Sequence, residues 1–215
     1  MPAFQSVVDL CCGTGRHLVP LSEAGYGVTG IDRDTAALDM ARRSTPSRGD
    51  TNLVRGDMRA LPLADASCDA VICMWQSFGH FDAMANRDVL KDIRRVLRSG
   101  GRFVLDVYHR EFHQQRLGQR LLVRDGTKVT EQRTMVGRRL QVVLEYQEAT
   151  DRLDERETDT FEWELFTPDE LAAQAQSVGL HLVTACATFD ETRVPTPEEA
   201  RMQLVFEARD IGRRV

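Results

Sequence analysis

The chain has 215 residues, of which 42% are hydrophobic and 28% charged, and a net charge of −5. That length can bury a substantial core as one large domain, or as a domain with an insertion, and the acid excess leaves no basic footprint for a nucleic-acid backbone. No apolar run approaches the length of a bilayer span, and "MPAFQSVVDL" lacks the basic region, long apolar stretch and cleavage site of a secretory signal. No membrane association and a cytoplasmic location are therefore expected. The five cysteines, Cys11, Cys12, Cys68, Cys73 and Cys186, are odd in number and show no CxxC or His/Cys cluster, a pattern of reduced thiols with no metal site.

In chain order, "FQSVVDL" (4–10) is apolar and β-rich, "CCGTGR" turns, and "HLVPLSEAGY" places Leu18, Leu21 and Ala24 on one helical face. "GVTGID" (27–32) is the second strand, "TAALDMARRS" an amphipathic helix and "TNLVRGD" (51–57) the third strand. "CDAVICMW" (68–75) is continuously apolar, as expected of a parallel strand covered on both faces. "NRDVLKDIRRVLRSGG" (86–101) predicts a helix closed by Gly100 and Gly101, and "RFVLDVY" a fifth strand. Between 120 and 166 the rhythm changes to four apparent antiparallel strands with no helix. "TPDELAAQAQSVGL" then restores a helix with Thr167 as N-cap and Pro168 at its first position, before "HLVTACATF" and "RMQLVFEAR" supply two last strands. The expected architecture is α/β: an open, mostly parallel sheet with an antiparallel final strand. Its divisions are a core over 1–119, an antiparallel β insertion over 120–166, and a helix and strands over 167–215 that complete the core sheet.

Such a sheet binds its ligand at the strands' C-terminal ends, beside the first strand-to-helix turn. The turn is not a dinucleotide fingerprint, because Leu18 stands where the third glycine of GxGxxG belongs, and no GKS or GKT follows for a phosphate loop. What remains is an acid four residues before the first glycine, a lysine-free glycine turn, an acid ending strand two and another after strand three. That set suits a ligand with a cationic, amino-acid-like tail, a ribose and an adenine.

On these residues the chain resembles the class I S-adenosylmethionine-dependent methyltransferases with a Rossmann-like fold. "VVDLCCGTGRHLVPLSEAGYGVTGIDRD" resembles motif I and the acidic motif after it, "LVRGDMRALPL" the adenine-contacting segment, and "CDAVICMWQSFGH" the motif IV region. The likeness spans 4–108, and the later layout resembles small-molecule members. The resemblance implies that Gly13 and Gly15 admit the methionine portion of S-adenosylmethionine, that Asp9 anchors the turn or the ligand amine, and that Asp32 accepts both ribose hydroxyls. It further implies that Asp57 takes the adenine amine and Met58 meets the ring. Arg16, Arg33, Gly56 and Trp75 complete the implied cofactor set. Cys11 departs from the family glycine, and is read as tolerated because a small residue fits a turn that needs no positive φ there.

Methyl transfer from a sulfonium is an in-line displacement that needs no metal, and S-adenosylhomocysteine is the product. His80 is the best placed general base, with Tyr108 and His109 next. The competing readings are a surface or helix-start histidine for His80, a pocket wall for Tyr108 and a solvated His109. Trp75 and Phe78 either line the sulfonium or substrate site or belong to the core. The insertion, with Arg120, Arg124, Arg133, Arg138 and Arg139, forms a lid or a homodimer surface, its arginines being a solvated face or a clamp for an acidic substrate. The expected function is N- or O-methylation of a small molecule. The alternative is a cofactor-binding module with little or no turnover, since only six residues precede Val7 where family members place covering helices. A late start of the sequence would also account for that.

Overall fold

The computed structural model describes residues 4–45, 50–124, 127–147 and 157–210. Asp125, Glu148, Ala149 and Arg156, to which the predicted strands of the insertion extend, and the Arg124 side chain lie outside the described residues.

The strands β1 (Ser6–Leu10), β2 (Gly27–Asp32), β3 (Thr51–Arg55), β4 (Cys68–Cys73) and β5 (Leu97–Tyr108) run parallel. With β10 (Leu180–Cys186) and β11 (Arg201–Ala208) they form a seven-stranded sheet in the order β10-β11-β5-β4-β1-β2-β3, β11 being antiparallel to both its neighbours. The order reverses between β1 and β4, so a crevice opens at their carboxyl ends. Apart from Asp69 near its start, β4 is apolar because it lies inside the sheet, with Val71 and Cys73 fully buried. The core beneath is built around Phe78, Phe103, Phe166 and Phe206.

The helices are α1 (Leu18–Glu23), α2 (Thr35–Ser44), α3 (Ala83–Val96), α4 (Arg110–Gln114) and α5 (Pro168–Gln176), and α2, α3 and α5 begin at side-chain caps. Asp34 accepts from Ala36 N and Ala37 N at 2.8 and 3.3 Å, and Thr167 and Glu170 form a reciprocal capping box on α5. Two expectations need correction. Helix α3 starts earlier, at the Asp82 cap, and ends at Val96, so Gly100 and Gly101 do not close it. They sit within β5, where pairing with β4 jumps from Cys68↔Leu97 to Ala70↔Arg102. A Cβ on Gly101 would lie 2.9 Å from the carbonyl oxygens of Arg98 and Asp69, so this excursion, and not a helix end, requires the glycine. The five-residue α4 is too short for periodicity to reveal.

The second sheet, β6 (Gly118–Arg124), β7 (Thr127–Val136), β8 (Arg139–Gln147) and β9 (Thr158–Glu164), is antiparallel in sequential order. Its period-2 pattern buries Val129, Leu140, Val142 and Leu144 on one face. The sheet is pinned to the loop after β4. Glu164 N donates to Gly79 O at 2.7 Å, while the buried Glu164 carboxylate accepts from Asn86 Nδ2 at 2.8 Å and Arg138 Nη2 at 2.6 Å. Arg139 donates to Phe81 O at 2.9 Å and His80 O at 3.1 Å.

Gly79 makes this joint possible. Its φ is +100°, and a Cβ there would lie 2.5 Å from Glu164 O. Gly79→Ala is predicted to lose about 3 kcal/mol, from backbone strain and overpacking. A thermal melt should fall by about 6–12 °C; an unchanged melt would show that the sheets are not joined this tightly.

Candidate active site

A cavity of about 410 Å³ opens at four successive strand ends: Leu10 and Cys11 after β1, Ile31 to Arg33 from β2, Gly56 to Met58 after β3, and Ser77, His80 and Phe81 after β4. Of the residues singled out from sequence, it gathers Cys11, Asp32, Arg33, Gly56, Asp57, Met58 and His80. Asp9, Gly13, Gly15, Arg16 and Trp75 lie along the adjoining turn and the rim of the sheet, and Tyr108 lines a second cavity.

Asp32 is held by the backbone: Oδ2 accepts from Gly13 N at 2.8 Å and Oδ1 from Asp34 N at 2.9 Å. Each oxygen keeps acceptor capacity for a ligand hydroxyl. Asp9 is buried, and its Oδ2 makes no hydrogen bond among the described residues, His17 Nδ1 standing 3.5 Å away. A buried acceptor without a partner is costly, and a ligand ammonium would satisfy it. The two turn glycines divide their work. Gly13, at φ +53°, has open space where a Cβ would be, which leaves room for close ligand approach. A Cβ on Gly15 would meet Leu18 Cδ1 at 3.0 Å and Ala41 Cβ at 3.1 Å, so that glycine serves helix packing.

Cys11 overturns one expectation, because it adopts φ +61°. Cys12 N donates to Ile31 O at 3.1 Å and Gly15 N to Cys12 O at 2.9 Å; these bonds fix the turn and leave Cys11 to absorb the rotation. Burial first, then the charges of Asp32, Asp9 and Asp57, push its thiol up to about 12. It is no nucleophile at neutral pH, and it packs with Sγ 3.8 Å from Met58 Sδ.

Asp57 is already engaged. Arg59 donates from Nε at 3.0 Å and Nη2 at 2.6 Å, lowering the carboxyl to about 2, and its guanidinium lies 4.6 Å from the Phe81 ring centre. An adenine amine at Asp57 would share the carboxylate with this arginine.

After β4 the backbone is strained, Trp75 and Gln76 both taking positive φ, at 59° and 63°. Consecutive left-handed non-glycine residues persist only where their surroundings over-determine them. Asp106, buried at the end of β5, accepts from Trp75 N at 3.1 Å and Gln203 Nε2 at 2.8 Å and is gripped by Arg201, while Gln76 accepts from Tyr108 N. The Trp75 ring is 60% exposed, with the Arg16 and Arg201 guanidiniums 4.8 and 5.1 Å from its centre. Phe78 is instead fully buried, 5.8 Å from Phe166, and belongs to the core.

His80 is exposed to solvent at the cavity while its ring approaches Trp163 at 5.9 Å. Partial burial, then the Arg33 and Arg139 charges, lower its pKa below the ordinary 6.5, against a backbone contact from Glu162 that raises it. His109, expected to be solvated, is buried. Ser77, Phe81, Arg59 and Arg201 were not assigned as site residues; Ser77 stood in the quoted "CDAVICMWQSFGH" and Phe81 directly follows it, but Arg201 reaches the site only through its pairing opposite Tyr108. No group of three or more His, Cys, Asp or Glu that could hold a metal ion occurs among the described residues, and none of the described helices is long and apolar enough to cross a membrane.

Residues 7–101 match the family described as "Methyltransferase domain". This match, over less than half of the chain, supports a class I S-adenosylmethionine-dependent methyltransferase, with S-adenosylmethionine as the cofactor it implies. It is 36% identical over 101 residues to a demethylmenaquinone methyltransferase of Paenarthrobacter aurescens, a match covering 47% of this chain and 38% of that protein. It is 33% identical over 124 residues to human glycine N-methyltransferase, covering 50% and 41%. The chain thus spans about two fifths of the curated relatives it matches. Among solved structures, an S-adenosylmethionine-dependent methyltransferase from Clostridium acetobutylicum superposes with a TM-score of 0.83 at 16% identity, over 97% of this chain and 85% of that one. The methyltransferase CcbJ of Streptomyces caelestis does so at 0.82 and 21%, over 97% and 84%. The S-adenosylmethionine-bound amino pentose methyltransferase CalS10 of Micromonospora echinaspora does so at 0.70 and 20%, over 96% and 84%.

The turn geometry predicts that Cys11→Gly stays within about 1 kcal/mol of the parent, relief of left-handed strain offsetting lost packing and added chain entropy. Cys11→Val should lose about 2 kcal/mol or more, since a β-branched residue is poorly tolerated at positive φ. Urea denaturation measures both, and a valine variant as stable as the parent would contradict the assigned turn.

Proposed function

We propose that this chain methylates a small molecule at nitrogen or oxygen, with S-adenosylmethionine held in the cavity at the ends of β1 to β4. The observation that carries this reading is Asp32, a carboxylate oriented by two backbone N–H groups with acceptor capacity left on both oxygens. In this reading Asp32 takes the ribose hydroxyls, Asp57 the adenine amine beside Met58, and Asp9, with its unpartnered Oδ2, the methionine ammonium. Arg16 and Arg33 flank the two ends, Trp75 covers the rim, and open space at Gly13 lets the turn backbone approach. Bound S-adenosylmethionine would supply an electrophilic methyl group on a sulfonium sulfur.

The chain's own work is then to position and to manage a proton. Alignment of reacting groups is worth roughly 7–11 kcal/mol in favourable cases. His80, held by its carbonyl to Arg139, has its pKa lowered, which favours the neutral ring that can accept the proton an amine or hydroxyl acceptor releases. Tyr108 lines the neighbouring cavity from the end of β5 and would face the acceptor from the other side. A small-molecule acceptor is supported by the relatives, which are named for demethylmenaquinone and glycine, and by the amino pentose enzyme among the structural neighbours.

Calorimetry with S-adenosylhomocysteine tests the cofactor site. Asp32→Ala should weaken binding by about 10- to 100-fold, as expected for hydrogen bonds to a charged group worth about 1.5–3 kcal/mol; unchanged affinity in a folded variant would overturn the ribose assignment. Tight binding with no turnover over a panel of amines, phenols and acids would instead leave a cofactor-binding module.

The pH profile tests His80. A base works in its neutral form, which persists above its pKa, so the acid limb of kcat/KM should fall at a pH below 6.5. The limb should vanish in His80→Asn along with most of the rate. Full activity of that variant at all pH values would remove His80 from the mechanism.

A further inference from the structure

The second cavity, about 320 Å³, lies between the end of β5 and the inner face of the four-stranded sheet. Leu140, Val142 and Leu144 alternate along β8 to make its floor, and the rings of Tyr108, Phe161 and Trp163 make its walls. Phe161 and Trp163 are two residues apart on β9, so they share a face and stack at 5.6 Å with 4° between planes, while Tyr108 meets Trp163 edge-on at 5.7 Å. A flat apolar body fits against such rings. The two cavities are neighbours, since His80 of the first stands 5.9 Å from Trp163 of the second.

The polar end of this cavity carries unbalanced charge. Glu131 on β7 is only 3% exposed and pairs with Arg120 directly opposite on β6 at 2.5 Å and with Arg133 at 2.6 Å. Two guanidiniums therefore face one carboxylate. His113 adds no charge, because burial and then Arg133 lower its pKa to about 4. Its Nδ1 is met by Arg133 Nη1 at 3.2 Å and its Nε2 by Ala200 O at 3.3 Å. Asp159, farther along the same face, accepts from the Tyr146 hydroxyl at 2.9 Å and lies outside the lining. Arg133 engages all three of its nitrogens with Glu131 and His113, but Arg120 uses only Nε, and its two terminal nitrogens make no hydrogen bond among the described residues. A half-exposed guanidinium with both terminal nitrogens free, its Nε fixed by a buried carboxylate, is a preorganised carboxylate receptor.

We propose that this cavity is the acceptor pocket and that it takes a small molecule with a flat apolar body and one carboxylate, the carboxylate seated on Arg120. The proposal rests on the methyl-transfer reading above and specifies its acceptor class. The Glu131 side chain sets the selectivity: it repels a second acid and limits the pocket to a single negative charge, while Arg120 and Arg133 exclude a cationic head group.

Calorimetry on the full chain with phenylacetate, its neutral counterpart phenylacetamide and the cation phenethylamine tests this, with S-adenosylhomocysteine titrated separately. Phenylacetate should bind at least about ten-fold tighter than the other two. Arg120→Met should bring it down to the amide's level without altering S-adenosylhomocysteine affinity, the buried Glu131 keeping Arg133 as its partner in that variant. Glu131→Gln should shift phenylacetate affinity upward, a change that general damage would not produce. Equal or tighter binding of the amide or amine, or unchanged phenylacetate affinity in Arg120→Met, would overturn the acceptor class while S-adenosylhomocysteine binding persists. Loss of S-adenosylhomocysteine binding in the parent protein would sink the methyl-transfer reading and with it the acceptor role.

Discussion

The carboxylate of Asp106 is the point on which both cavities depend. Buried at the end of the interior strand β5, it accepts from Trp75 N, from Gln203 on β11 and from the Arg201 fork, while its own carbonyl accepts from Gln76 N. One side chain thereby ties together the loop after β4, the parallel half of the sheet and its antiparallel last strand. Removing one partner of such a buried pair costs about 3–5 kcal/mol, mostly as an uncompensated charge, although the intact pair itself adds little net stability. Its value lies in specifying where the loop goes.

That specification is needed because the loop is under strain. Trp75 and Gln76 in left-handed backbone cost about 1–3 kcal/mol each, comparable to what the Asp106 network can hold. The strain turns the chain sharply enough that Phe78 drops into the core while Ser77, His80 and Phe81 return to the cavity. From the other side, the four-stranded sheet fixes the same loop through Gly79, His80 and Phe81. A loop clamped at both ends does not wander, which is what positioning a proton acceptor requires.

What the sequence revealed follows from how local each interaction is. The acids Asp9, Asp32 and Asp57 stand at fixed offsets from strand ends, so spacing alone located them. The parallel order was legible from alternation of strands and helices, and the α5 cap from Thr167, Pro168 and Glu170. The partners that tune these residues were not legible, because they are set by strand order: Arg201 comes to Tyr108 only through antiparallel pairing 93 positions away in the chain, as 201 less 108. Glu131 reads as one more polar residue of a β-ribbon until its register opposite Arg120 buries it. Local rules misled where a long-range demand overrode them, as at Gly100 and Gly101, which serve a strand excursion after a helix that has already ended. Cys11 misled for the same reason, its backbone being dictated by the hydrogen bonds of Cys12 and Gly15.

The two cavities differ in sign, and that difference can orient a reaction. Burial raises the Cys11 thiol most, and Asp32, Asp9 and Asp57 then each add to the cost of a negative charge in the first one, with Arg33 offsetting part of it. A cationic ligand is favoured in such a place and an anionic one is opposed. The second cavity has the opposite excess, two guanidiniums against Glu131. At an effective dielectric near 20, a unit charge a few ångströms from such a group feels about 4 kcal/mol, ample to decide which cavity an anion enters. The His80–Trp163–Tyr108 wall lies between them. A sulfonium donor drawn to one side and a carboxylate-bearing acceptor drawn to the other would therefore turn their reacting ends toward the edge of that wall, with His80 beside the point of approach.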